Sequence, residues 1–189
     1  MPGGSERAAK REFELLRVSP QHVTHVFLTR TDRDHVGGLN LFKNAEIYLS
    51  FDEEQMIDKR TPRFLRFVHN APLKRPYRLL KDGDIVRVGV TRIEAIATPG
   101  HTPGSMSYLV DESILFTGDT VLLKEGKVRP FSKMRPRDMI RFHSLVASMD
   151  TAAQRESVKR LAKLQNISLM ATAHTGFTSD FQYAMRDWE

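Results

Sequence analysis

The chain has 189 residues, a net charge of +6, 40% apolar residues and no cysteine. These values suit a single domain over 1–189 with its own core, and exclude disulfides and thiolate metal ligands. No apolar run approaches the roughly 18 residues of a membrane span, and Met1 to Arg7 lacks the apolar centre of a secretory signal, so a cytoplasmic protein with no membrane contact is expected.

Glu6 to Leu16 reads as a helix with Ala9, Phe13 and Leu16 on one face, broken at Ser19-Pro20. Val23 to Thr29 reads as a strand. Directly after its apolar run comes Thr29-Arg30-Thr31-Asp32-Arg33-Asp34-His35-Val36-Gly37-Gly38. His35 to Phe42 then opens a helix, Ile47 to Leu49 is a strand, Phe51 to Lys59 is helical, and Thr61 to Leu73 is a candidate flap over a site. Tyr77 to Leu80 and Ile85 to Val88 read as a hairpin about the turn Lys81-Asp82-Gly83-Asp84. Strands follow at Val90 to Ala97, Met106 to Val110 and Ser113 to Thr117. Asp150 can cap a helix running to about Leu164. A strand over Ser168 to Thr172 and a helix over Ser179 to Trp188 complete the chain.

The chemistry-bearing residues cluster where strands end. Thr98-Pro99-Gly100-His101-Thr102-Pro103-Gly104-Ser105 follows one strand, Thr117-Gly118-Asp119-Thr120 a second, and Thr172-Ala173-His174-Thr175-Gly176 a third. Loops at strand ends are where a rigid sheet can fix ligand positions. Imidazole and carboxylate suit zinc, with iron or manganese also acceptable. Asp34, His35, Asp119 and His174 make a two-nitrogen, two-oxygen set that fits one ion with an open position for water.

Taken in order, these segments resemble the metal-binding motifs of the metallo-β-lactamase superfamily, over nearly the whole chain from Val23 to Trp188. The resemblance implies an α+β fold, the four-layer αββα sandwich, without the N-terminal strands that precede the first helix in that family. An exposed sheet edge, and homo-oligomer formation through it, are expected consequences. The resemblance also implies a hydrolase using metal-activated water on an ester, thioester, lactone or β-lactam type of small molecule. Its implied metal ligands are Asp32, Asp34, His35, His101, Asp119 and His174, with Asp34 also orienting the nucleophile and Asp119 bridging two ions.

The first motif departs from the family's His-x-His-x-Asp-His. Arg30 stands where the first histidine belongs and Asp32 where the second belongs. Asp32 can bind metal, whereas a guanidinium has only donors and repels a cation. In an extended segment Arg30 and Asp32 share a side. Arg30 is therefore expected to pair with Asp32, modify the site as a fixed cation and leave one ion favoured over two. Changing Arg30 to His is expected to restore two-metal loading.

Two other readings remain open at this point: a degenerate, weakly active or inactive member, and a phosphodiester-cleaving nuclease. The second draws only on the basic residues Lys124, Lys127, Arg129, Lys133, Arg135, Arg137 and Arg141, which lack the interleaved aromatics of a base-stacking surface. A nucleic-acid partner is thus the less favoured one. His22 and His25 read as residues of a turn and an early strand, His69 of the candidate flap and His143 of a polar helix rather than as site residues, and Thr102, Ser105 and Thr120 as loop hydrogen bonders rather than nucleophiles.

Overall fold

The computed structural model describes residues 6–63, 69–129 and 148–188. In chain order the elements are α1 (Glu6–Leu15), β1 (His25–Phe27), α2 (Arg33–Val36), β2 (Glu46–Ser50), α3 (Glu54–Ile57), β3 (Arg78–Leu80), β4 (Ile85–Val88), β5 (Thr91–Ala97), β6 (Met106–Val110), β7 (Ile114–Phe116), β8 (Leu122–Lys124), β9 (Lys127–Arg129), α4 (Thr151–Ala162), β10 (Leu169–Ala171), β11 (Phe177–Thr178) and α5 (Phe181–Met185). Among the described residues β1, β2 and β3 form a parallel sheet. A six-stranded sheet has the order β11-β10-β7-β6-β5-β4, and β8–β9 is a separate hairpin.

Strand alternation decides what each face buries. Tyr48 of β2 and Leu80 of β3 face Ile93 and Ala95 of β5 and Met106 and Tyr108 of β6, so one core lies between the sheets. Ile47 and Leu49 point the other way, onto Leu28, Leu39 and Ile57. On the far face of the large sheet Ile96, Leu109, Leu115 and Met170 pack against Val158 and Leu161 of α4 and Phe181 and Met185 of α5. Full burial of each such side chain contributes about 1.5–3 kcal/mol.

Several elements differ from expectation. Tyr77 to Val88 is not a hairpin: β3 pairs with β2 in one sheet and β4 with β5 in the other. The Asp-Gly turn exists, but Gly83 N–H donates to Ala95 O and Ala95 N–H to Asp84 O, so β5 holds it, and the chain crosses between sheets there. Val90 lies in the β4–β5 turn, 98% exposed, after Gly89 at φ +61°. The helix expected over His35 to Phe42 splits into α2 and a 3-10 turn, Leu39–Leu41, at Gly37-Gly38. Over Phe51 to Lys59 a 3-10 turn, Phe51–Glu53, precedes α3.

Helix α1 places Phe13 edge-on to Phe42, rings 5.4 Å apart. Leu16, expected on the same face, is 69% exposed. Arg17 takes φ +54° and Val18 N–H donates to Phe13 O, an end motif that turns Leu16 off the helix. Part of the expected flap, 64–68, and the residues Lys133, Arg135, Arg137, Arg141 and His143 lie outside the described residues. Among the described residues no helix is long and apolar enough to cross a membrane.

Candidate metal centre

Four strand ends converge on one point. The segment after β1 carries Arg30 and Asp32, and α2 carries Asp34 and His35. The β5–β6 loop supplies His101, the turn after β7 supplies Asp119, and the loop after β10 supplies His174. Backbone bonds tie the loops together: Met106 N–H to Thr29 O at 2.9 Å, Thr117 N–H to Ala171 O at 2.9 Å, and Ala173 N–H to Gly118 O at 3.0 Å. Gly118 sits at φ +55°, and a Cβ there would fall 2.8 Å from Thr29 Cβ. A side chain at that position would push the first and third motifs apart.

Asp34, His35, Asp119 and His174 each present a ligand atom, all within 4.8 Å of one another. Thr29 Oγ1 lies 2.9 Å from His35 Nδ1, which fixes the ring and leaves Nε2 to face the carboxylates. That Nε2 is 3.4 Å from Asp34 Oδ2 and 3.8 Å from Asp119 Oδ2. His174 Nε2 is 3.1 Å from Asp34 Oδ2 and 3.4 Å from Asp119 Oδ1. His35 Nε2 and Asp119 Oδ1 are buried without a hydrogen bond of ordinary geometry. Two unsatisfied buried lone-pair donors at one point fit a cation.

The charges are strongly coupled. The neighbouring Asp119 and Asp34 carboxylates push His174 up to about 9. Burial, then the Arg30 charge, holds His35 down at about 4, so it is neutral and ready to ligate. Burial alone would raise Asp119, but His174 and Arg30 outweigh it and hold the carboxyl at about 2. The same balance, against burial, keeps Asp34 below the usual carboxylate range.

Arg30 is not on the surface. It is 1% exposed and spans three carboxylates. Its Nε donates to Asp32 Oδ2 at 2.8 Å, its Nη2 to Asp34 Oδ2 at 2.9 Å, and its Nη1 to Asp119 Oδ2. The expected Arg30–Asp32 pairing is present, and the guanidinium reaches further than expected. Asp32 and His101 stand apart from the four-residue group. Arg63 Nε donates to both Asp32 oxygens at 3.0 Å, and Arg63 Nη2 lies 2.9 Å from His101 Nε2. Burial raises Asp32, but His101, Arg30 and Arg63 together hold it far below its ordinary value.

Sequence reasoning missed Arg63, which lay unremarked in the candidate flap, and Asn70, whose Nδ2 donates to Thr31 Oγ1 and Asp32 Oδ1, both at 3.0 Å. It also missed Glu53, which is fully buried. Glu53 Oε1 accepts from Thr31 N–H and Oγ1 at 2.8 Å, and Oε2 from Thr102 Oγ1 at 2.6 Å. One carboxylate thus joins the first and second motif loops, with its pKa raised by burial. Thr102, Ser105 and Thr120 are hydrogen bonders, as expected. His25 bonds Thr24 and stacks on Tyr48, away from the cluster.

The family model described as "Metallo-beta-lactamase superfamily" matches residues 2–166. The chain belongs to the metallo-β-lactamase superfamily. Over 100 residues it is 38% identical to metallo-beta-lactamase domain-containing protein 1 of Xenopus laevis, a match covering 53% of this chain and 36% of that protein. Over 99 residues it is 36% identical to the probable polyketide biosynthesis zinc-dependent hydrolase PksB of Bacillus subtilis, covering 51% of this chain and 38% of that protein. The matched parts are thus well under half of these relatives. The solved Rm3 metallo-beta-lactamase superimposes with a TM-score of 0.66 at 19% identity, over 99% of this chain and 77% of that one. That likeness shows an α+β metallo-β-lactamase fold along nearly the whole chain.

Proposed function

We propose that this superfamily member is a mononuclear, metal-dependent hydrolase, one domain in the αββα arrangement, acting on a small ester, thioester, lactone or β-lactam. The observation that carries the reading is the pair of buried, unsatisfied atoms, His35 Nε2 and Asp119 Oδ1, in a group whose ligand atoms lie within 4.8 Å of one another. Asp34, His35, Asp119 and His174 would hold one divalent ion, zinc before iron or manganese. Such an ion supplies an acidified water as nucleophile near neutral pH.

This chain's own residues then have separable tasks. Asp34 is held ionised by His174 and Arg30, so it accepts a hydrogen bond from the nucleophile and orients it; its low pKa makes it a poor proton acceptor. Asp119, most buried of the ligating carboxylates, shares its charge between Arg30 and the ion site. Arg30 holds both carboxylates in place, which limits their reorganisation during reaction. His174, protonated at neutral pH by its two carboxylate neighbours, would have to lose that proton to ligate the ion.

The test is a hydrolysis panel of thioesters, esters, lactones and β-lactams with zinc-loaded protein and with His174→Ala. Turnover that a chelator abolishes, zinc restores and His174→Ala lacks is the expected result. Bound metal with no turnover on any class would instead mark a member that keeps the fold and has lost the chemistry.

A further inference from the structure

The position of the family's first ion raises a question of charge. Asp32, His101 and the Oδ2 side of Asp119 surround it, with His101 Nε2 3.5 Å from Asp32 Oδ2 and 3.6 Å from Asp119 Oδ2. Two guanidiniums reach these same atoms. Arg30 contacts Asp32 Oδ2 and Asp119 Oδ2; Arg63 contacts both oxygens of Asp32 and the Nε2 of His101. Both arginines are buried, at 1% and 5% exposure. An ion cannot reach Asp32 or His101 while they stay there.

We propose that Arg30 and Arg63 act together as a substitute for one divalent ion, and that Arg63 alone keeps the first metal position closed once Arg30 is removed. This rests on the mononuclear reading above and extends it to a residue outside all the metal motifs. The charge supports a pair rather than a single residue. The intact motif would set two aspartates against two divalent ions, a net +2; with Asp32 in place of a histidine, three aspartates would face one ion at a net −1, which Arg30 and Arg63 together bring to +1. Arg30 by itself would bring it only to zero. Arg63 also contacts two atoms that Arg30 does not reach, the His101 Nε2 and Asp32 Oδ1, the latter shared with Asn70 Nδ2. Buried carboxylates this close together need such compensation, because an unpaired buried charge is strongly destabilising.

The pairing changes what Arg30→His does. That variant supplies the missing histidine but leaves Arg63 on Asp32 and His101, and its positive charge repels an incoming cation. Arg63 is therefore a positioning residue that sets metal number.

The experiment compares metal per chain, by elemental analysis after zinc-supplemented purification and desalting, for wild type, Arg30→His, Arg63→Ala and the double variant. Cobalt substitution adds a spectroscopic readout, since two adjacent cobalt ions couple magnetically and one does not. The expected counts are one for wild type, one for each single variant and two, with coupling, for the double. Two ions in Arg30→His alone, or one in the double, would overturn the proposal. Should Arg30→His not fold, Arg30→Gln and Arg30→Gln/Arg63→Ala decide by the same difference, because the amide oxygen can ligate without adding charge. A wild type that binds no ion would sink the mononuclear reading, whereas the step between single and double variants tests the arginine pair on its own.

Discussion

One imidazole carries the clearest pH signature of the site. His174 has an ordinary value of 6.5 and is raised to about 9 in the folded protein by Asp119 and Asp34. A raised value means that its stabilising contribution is complete below about pH 6.5 and disappears as pH climbs to about 9. His35 runs the other way: lowered to about 4 by burial and Arg30, it resists protonation, so stability falls as pH drops from about 6.5 towards 4. Chemical denaturation of metal-free protein across this range is expected to show a maximum near pH 6.5, and His174→Ala to flatten the alkaline limb. An unchanged alkaline limb in that variant would rule out the assignment. Metal uptake must expel the same proton, so zinc affinity is expected to rise about tenfold per pH unit up to about pH 9 and then level off. Competition against a chelator of known affinity measures it, and a pH-independent affinity would mean that His174 is not a ligand.

Loops between elements, rather than the elements themselves, set the precision of the site. Gly104 packs directly on the backbone of Glu53, where an added Cβ would lie 1.9 Å from Glu53 N. Gly104→Ala is therefore expected to cost about 3 kcal/mol or more in a urea melt, since the second motif loop must move bodily. Glu53→Ala strands the donors of Thr31 and Thr102 and should cost about 3 kcal/mol, with Glu53→Gln recovering part. A loss under 1 kcal/mol (on the order of one ordinary hydrogen bond) would show the loops are held otherwise. The strands leading to the four motifs were legible in sequence because apolar runs precede each motif, and so was Arg30's pairing with Asp32, because two-residue spacing in an extended segment puts both on one side. Arg63 and Glu53 were not. Neither sits in a motif, and each reaches the site through tertiary contact 31 or 22 residues away in the chain. The Asp82-Gly83 turn misled for a similar reason, since the turn is local while β3's partner, β2, is chosen by the burial of Leu80 between the sheets.

At the scale of the whole molecule the open edges matter most. Among the described residues β1 pairs on one side with β2 and has no strand on its other side. A cavity of about 400 Å³ runs beside it, lined by Phe13, Val26, Leu39, Phe42 and Phe116. An edge with unpaired backbone beside apolar side chains favours addition of another strand. Light scattering over a concentration series is expected to show mass rising above that of one chain, and a mass that stays constant would exclude edge pairing. The central claim concerns charge rather than assembly: Arg30 and Arg63 are proposed to take the place of the family's first ion, leaving a site for one. Metal content per chain, on protein purified without chelator or nickel resin, tests it most directly. The expected value is one zinc, iron or manganese per chain. Two ions within bridging distance, or none after incubation with each metal, would contradict it.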